Sequence, residues 1–253
     1  DLKADYIMAN PPFNQSGWRA DNELTTDPRW AGFETPPTSN ANYGWILNIL
    51  SKLSTDGVAG FILSNGALSA DGKEKEIRKK LLETGKVECI LILPRKLFYS
   101  TDISVTLWIL NNNKKARIKA KNGPEIHYRD REQEVLFCDL RQMAVPYEKK
   151  YVELPPETRE KVANTYHVWQ QVGYETSYED TPEYCYSAKI DEIKDKDFSL
   201  VPSKYIEFKN LDTEVDFDAE MTKISSELRS IIAERKNLDK ELFELFSSFG
   251  YEL

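Results

Sequence analysis

The chain has 253 residues, 40% of them hydrophobic and 30% charged, with a formal net charge of −8. That length allows one large domain and an appendage, and the acidic balance excludes the basic surface of a free-standing, nonspecific nucleic-acid binder. The apolar runs are short and interrupted by charges, so no transmembrane helix is expected, the acidic and charged start does not read as a signal peptide, and the expected setting is cytoplasmic.

The first apolar run, Tyr6–Ala9, stops abruptly in Asn10-Pro11-Pro12-Phe13. Proline fixes its φ and lacks an N–H, so Pro11 and Pro12 cannot extend a strand ladder, and each biases the preceding residue toward extended backbone. The strand must end there, leaving Asn10 to project its amide off the sheet edge while the Pro11 carbonyl remains free to accept a second hydrogen bond. Two acceptors can hold one NH2 group. Phe13 adds a ring on which a heteroaromatic base can stack, a contact worth roughly 1–3 kcal/mol. This trio suits methylation of a planar exocyclic amine such as adenine N6, with Asn10, Pro11, Pro12 and Phe13 as the catalytic segment. Accepting both protons favours a more tetrahedral nitrogen, whose lone pair can attack a sulfonium methyl group in line.

A loop rich in Trp, Gly and Pro follows, then a helix-like segment over Tyr43–Leu53, an apolar run at Val58–Ser64, a helical face with Ile77, Leu81 and Leu82 within Lys73–Glu83, and a run at Val87–Leu93. Strand-helix alternation of this kind predicts buried, largely parallel strands of a doubly wound sheet, with the loops at their carboxyl ends building the site. The next run, Ser104–Leu110, follows after only a short loop, so those last two strands are expected to pair antiparallel as a terminal hairpin. Beyond Asn111-Asn112-Asn113 a polar, basic stretch leads to a strand at Glu134–Asp139 and a helix from Pro155 to about Val172. The basic clusters from Lys73 to Lys80 and from Lys114 to Lys121 are candidates for phosphate contact, and read more simply as solvated helix and hairpin faces. Cys89, Cys138 and Cys185 are widely separated, with only His127 and His167 to join them, so reduced thiols and no metal site are expected.

The segment Asp216–Phe249 reads as one long helix. Met221, Ile224, Leu228, Ile231, Leu238, Leu242, Leu245 and Phe249 follow alternating steps of three and four, interrupted once at Arg235, which over about four heptads meets the coiled-coil pattern. A second apolar edge at Ile232 and Phe246 widens the stripe, so packing on its own domain competes with an intermolecular bundle.

With these residues in view, the chain resembles the methylation subunit of type I restriction-modification systems, an adenine-N6 DNA methyltransferase. The resemblance rests on Asn10-Pro11-Pro12-Phe13, Asn42-Tyr43-Gly44-Trp45, the run from Gly57 to Leu68, Ile77 to Leu82, Ile92 to Thr101, and Leu200-Val201-Pro202-Ser203-Lys204-Tyr205-Ile206, in that order. It implies that Asn10 and Pro11 hold the amino group of a flipped adenine, that Phe13 stacks on the ring, and that Gly66, Leu97 and Phe98 lie near the base or the cofactor, S-adenosylmethionine. It implies partners too: DNA, a specificity subunit, a restriction subunit and a second methylation subunit.

Family members carry a glycine-rich cofactor loop and an acidic residue upstream of the Asn-Pro-Pro-Phe strand. Neither is present here, so the chain resembles the carboxyl-terminal part of a longer enzyme. It is expected to expose apolar surface, to bind cofactor poorly, with Asn10 at the edge of the pocket only, and to be inactive as an isolated fragment. The implied division is 1–113 for the carboxyl-terminal half of the methyltransferase core, 114–215 for a mixed extension, and 216–253 for an assembly helix. Two alternatives compete with DNA adenine methylation: a protein-glutamine N5 methyltransferase, since glutamine also presents a planar NH2, and an assembly module without activity of its own that docks on a specificity subunit.

Overall fold

The computed structural model describes residues 2–99, 102–120, 125–174, 176–208 and 216–250. It divides into Asp1–Phe208 and Lys209–Leu253. In the first unit the strands are β1 (Ala4–Ala9), β2 (Leu53–Ser64), β3 (Val87–Ile92), β4 (Val105–Asn111), β5 (Arg117–Lys119), β6 (Ile126–Tyr128), β7 (Glu134–Asp139), β8 (Val145–Tyr147), β9 (Tyr151–Glu153) and β10 (Cys185–Lys189). The helices are α1 (Asn42–Lys52), α2 (Lys73–Glu83), α3 (Pro156–Gln170) and α4 (Ile190–Asp195).

Six strands form one sheet in the order β1-β2-β4-β3-β7-β10. β1 and β2 are parallel, as are β3 and β7, whereas β4 runs antiparallel to both of its neighbours and β10 antiparallel to β7. The carboxyl ends of β1, β2, β3 and β7 therefore lie along one edge of the sheet. The expected antiparallel pairing of β3 with β4 is present, but β4 is not terminal: it inserts between β2 and β3. Trp108 explains why this strand is interior, since its ring is fully buried, stacks on Phe61 of β2 at 6.2 Å and meets Tyr43 of α1 edge-on at 6.4 Å. β7 and β10, beyond residue 113, bond into the same sheet.

Alternation along the strands separates two apolar layers. Ala59, Phe61, Leu63, Ile90 and Phe137 face a layer shared with Ile46, Leu47, Ile77, Leu81 and Ile193 of α1, α2 and α4. Cys89, Leu91, Leu136 and Cys138 face the other, which is covered by Trp169, Val162 and Tyr166 of α3. Under α3 lies a buried polar knot. Glu88 takes Arg131 Nε and Gln170 Nε2 on one oxygen, each at 3.1 Å, and Asn111 Nδ2 at 2.6 Å and the Tyr166 hydroxyl at 3.0 Å on the other.

β1 departs from the expected buried strand. It has a neighbour on one side only, its Ile7 and Ala9 pack on the first layer, and its other face leaves Tyr6 71% and Met8 92% exposed. In the second unit α5 (Phe217–Ser248) is a single helix without a buried residue, capped by Asp216, whose carboxylate accepts from the Asp218 and Ala219 amides at 3.1 Å. Its apolar stripe is exposed along its length, including Ile224, Leu228, Leu238, Leu242 and Leu245. No helix among the described residues is long and apolar enough to cross a membrane.

Candidate functional site

β1 ends at Ala9, as the two prolines require, and the chain turns outward into a long loop that reaches α1 at Asn42. Asn10 is exposed and Pro11 is buried. Among the described residues neither the Asn10 amide nor the Pro11 carbonyl has a hydrogen-bond partner. Both acceptors are therefore unclaimed at the carboxyl edge of the sheet, the Asn10 amide on an exposed residue and the Pro11 carbonyl on a buried one. Phe13 is half-buried and packs on the second apolar layer, the layer that Leu97 and Phe98 also join from the loop after β3. Gly66 sits in the short 3-10 turn Asn65–Leu68 after β2, exposed, with open space where a Cβ would stand. The fold thus carries Asn10, Pro11, Pro12, Phe13, Gly66, Leu97 and Phe98 to loops along one edge, and places Phe13, Leu97 and Phe98 on one apolar cluster.

What holds the Asn-Pro-Pro-Phe corner is the residue after it, which sequence reasoning passed over. Asn14 adopts a left-handed conformation with φ of +51°, a region asparagine tolerates better than most residues. Its Oδ1 accepts from Ser64 Oγ at 2.8 Å, Asn42 Nδ2 at 2.9 Å and Asn40 Nδ2 at 3.4 Å, while its N–H donates to Asn42 Oδ1 at 3.0 Å. One side chain ties the loop after β1 to the end of β2 and the start of α1. The available signal was an asparagine abutting the motif together with the Asn40-x-Asn42 helix start.

The rest of the loop is tied down from within. The buried guanidinium of Arg19 donates to the carbonyls of Ala20, Asp21, Glu23 and Pro36. Trp18 donates to the Pro37 carbonyl at 2.8 Å and meets Trp30 edge-on at 6.1 Å. Hydrogen bonding from Arg29 holds the Asp27 carboxyl down at about 2 and closes the Pro28–Trp30 turn. The corner therefore stands on a preorganised base.

Each basic cluster turns one member inward, while Lys73, Lys80 and Lys115 stay exposed and Lys121 lies outside the described residues. Arg78 is buried and donates to the carbonyls of Phe198 and Ala70 and to the Tyr43 hydroxyl, and Lys75 pairs with Asp197. Lys114 is buried on the Val87 and Glu134 carbonyls at 2.7 and 2.5 Å. Among the described residues no group of His, Cys, Asp and Glu could hold a metal ion.

The residues present do not build a cradle for a nucleoside-bearing sulfonium cofactor. The segment from Asn10 to Ser16 contains no glycine, Pro11 and Pro12 have no N–H to offer a carboxylate, and the outer side of β1 carries no further strand among the described residues. What the edge presents is the acceptor side of a transfer: an amide oxygen, an imide carbonyl and a ring.

The model of the N-6 DNA methylase family matches residues 1–214. The methylase subunit of the type I restriction enzyme HindI of Haemophilus influenzae is 35% identical over 254 residues, covering 100% of this chain and 53% of that protein. The type I restriction enzyme MjaIX methylase subunit of Methanocaldococcus jannaschii is 31% identical, covering 99% of this chain and 43% of its own length. The chain therefore spans about half the length of these curated relatives. Among solved structures, the type I restriction-modification methyltransferase subunit from Streptococcus thermophilus superposes with a TM-score of 0.68 at 27% identity, over 82% of this chain and 39% of that one.

Proposed function

The chain belongs to the N-6 DNA methylase family, and from that premise we propose that it captures the target base in a DNA methyltransferase that methylates adenine N6 as the modification subunit of a type I restriction-modification complex. The observation that carries this reading is the exposed, unpartnered Asn10 amide beside the free Pro11 carbonyl on a corner held by Asn14.

An adenine swung out of its duplex, at a cost of a few kcal/mol, lays its ring against Phe13. Asn10 Oδ1 and the Pro11 carbonyl accept one hydrogen each from the exocyclic NH2, which withdraws the nitrogen lone pair from the ring and leaves it available to an electrophile. Fixing that nitrogen in place supplies much of the acceleration. S-adenosylmethionine would supply the methyl group in the assembled enzyme. The setting is cytoplasmic, where the DNA partner is.

Asn10→Ala in the reconstituted enzyme, followed by transfer of labelled methyl groups to adenine-containing DNA, should lose about a hundredfold or more in kcat with the thermal transition unchanged. Near-full activity refutes the assignment. Label appearing in protein instead of DNA moves the reading to glutamine methylation.

A second reading stands beside the first because α5 exposes its whole apolar stripe: the helix is the docking element for the specificity subunit and, through it, for the second methylation subunit and the restriction subunit. DNA reading delegated to a partner fits the net charge of −8.

A further inference from the structure

The loop after β3 and the β8–β9 hairpin enclose a groove of about 390 Å³ lined by Lys96, Phe98, Tyr99, Asp102, Lys149, Lys150 and Tyr151. Its geometry is built rather than incidental. The Val152 amide donates to the Lys96 carbonyl at 3.1 Å, locking hairpin to loop, and the rings of Tyr99 and Tyr151 meet edge-on with centroids 4.6 Å apart. Lys96 and Glu148 turn the two corners in left-handed conformations, with φ of +62° and +54°, a conformation that costs a residue with a Cβ and persists only where its surroundings impose it.

The charge in this groove contrasts with the chain as a whole. Lys96, Lys149 and Lys150 are exposed and form no ion pair among the described residues, whereas the one carboxylate lining the groove, Asp102, is taken by Arg95 at 3.1 Å. Tyr99 remains 68% exposed, so one aromatic face stays open beside three free ammonium groups. Aromatic faces interleaved with cations are how single-stranded nucleic acid is held without base-pair readout. The groove also lies at the carboxyl end of β3 and β7, the same sheet edge from which Asn10 projects.

We propose that this groove binds the DNA strand next to the methylated adenine, with a base against Tyr99 and its phosphates on Lys96, Lys149 and Lys150. The inference rests on the DNA-methylation reading and adds to it a second contact surface: once a base is extruded, its neighbour on the same strand is unstacked on one side, and Tyr99 offers it a replacement partner.

The test is fluorescence anisotropy of a labelled single-stranded oligonucleotide of mixed sequence with the 253-residue chain, titrated across salt concentrations. The triple variant Lys96→Ala, Lys149→Ala, Lys150→Ala should lower the slope of log affinity against log salt by about 2. Tyr99→Ala should weaken binding by about fivefold or more, and Tyr99→Phe should retain it. Asn10→Ala should bind the oligonucleotide within about twofold of the parent, because base capture on β1 and strand contact in the groove are separate; loss of methyl transfer by the reconstituted enzyme carrying Asn10→Ala, with oligonucleotide binding by the chain intact, separates the two readings. Binding by the triple variant equal to the parent's, or no salt-dependent binding by the parent, overturns the proposal. Competition by an acidic polypeptide at the efficiency of DNA identifies a protein partner instead and overturns it as well.

Discussion

Asn14, exposed, and Lys114, buried, illustrate how single polar side chains set the geometry around them. Removing the Asn14 side chain leaves a hydroxyl and two amide groups without their shared acceptor, so Asn14→Ala should cost about 1–3 kcal/mol and lower Tm by several degrees. It should also lower methyl transfer by the assembled enzyme although Asn14 touches no substrate; an unchanged melting curve would sink that role. Lys114 makes a pH-dependent contribution. Burial pushes its ammonium down to about 8, from 10.5. Between those values the unfolded chain binds the proton and the folded chain releases it, so this group makes stability rise with pH across that window. Burial raises the thiols of Cys89 and Cys185, which pull the other way above their ordinary range. The quantity to measure is therefore the difference between the parent and Lys114→Met in urea unfolding: the parent should gain about 1–2 kcal/mol relative to the variant between about pH 7.5 and 9.5. A difference independent of pH would show that the ammonium keeps its ordinary affinity.

Among the elements, the edge strand β1 depends on one glycine. A Cβ on Gly57 would stand 2.8 Å from the Ala4 carbonyl oxygen and 2.9 Å from the Ser54 amide nitrogen, both backbone atoms, at the place where the β1–β2 register shifts. Gly57→Ala should therefore displace β1 from β2, destabilising by about 1–3 kcal/mol. Hydrogen exchange should quicken at the amides of Tyr6 to Ala9 and leave β3 and β7 protected; uniform protection throughout would show that the strand tolerates the methyl group. Because β1 carries Asn10, the variant should also lose methyl transfer, by moving the corner rather than by changing its chemistry. α5 lies at the other extreme: its ion pairs, Arg235 with Asp239 and Lys240 with Glu244, are exposed at 3.6 and 3.7 Å and contribute a few tenths of a kcal/mol each. The helix presents an apolar stripe that its own residues do not cover.

At the scale of the molecule, the division after Phe208 separates a sheet with two filled layers from a helix that buries nothing. A chain ending at Phe208 should melt within about 2 °C of the parent, because α5 itself has no buried residue. It should fail to co-purify with a specificity subunit that retains the parent. Retained association would remove α5 as the docking element, and a collapsed melting transition would show that the sheet needs the second unit. The open edge and the exposed Tyr6 and Met8 on β1 are the other unfinished surface, of the kind that folded proteins usually cover.

The local features were legible because their causes are local. Proline without an N–H ends β1 at Ala9 wherever the strand is placed, and the periodicity of Lys73–Glu83 gives α2 its bounds without reference to neighbours. The long terminal helix and the antiparallel pairing of β3 with β4 were readable for the same reason. The insertion of β4 between β2 and β3 was not, since a strand's neighbours are chosen by packing across the sheet, here by Trp108 against Phe61 and Tyr43. Nor could spacing show that Asn14 gathers donors from Asn40, Asn42 and Ser64, that Lys114 is buried rather than solvated, or that a hairpin from residues 145–153 closes a cationic aromatic groove over Lys96. Sequence alone therefore determined where β1 stops and which side chains follow its carboxyl end. Tertiary structure decided what surrounds it, because hydrogen bonds and desolvation depend on groups that only the folded chain brings together.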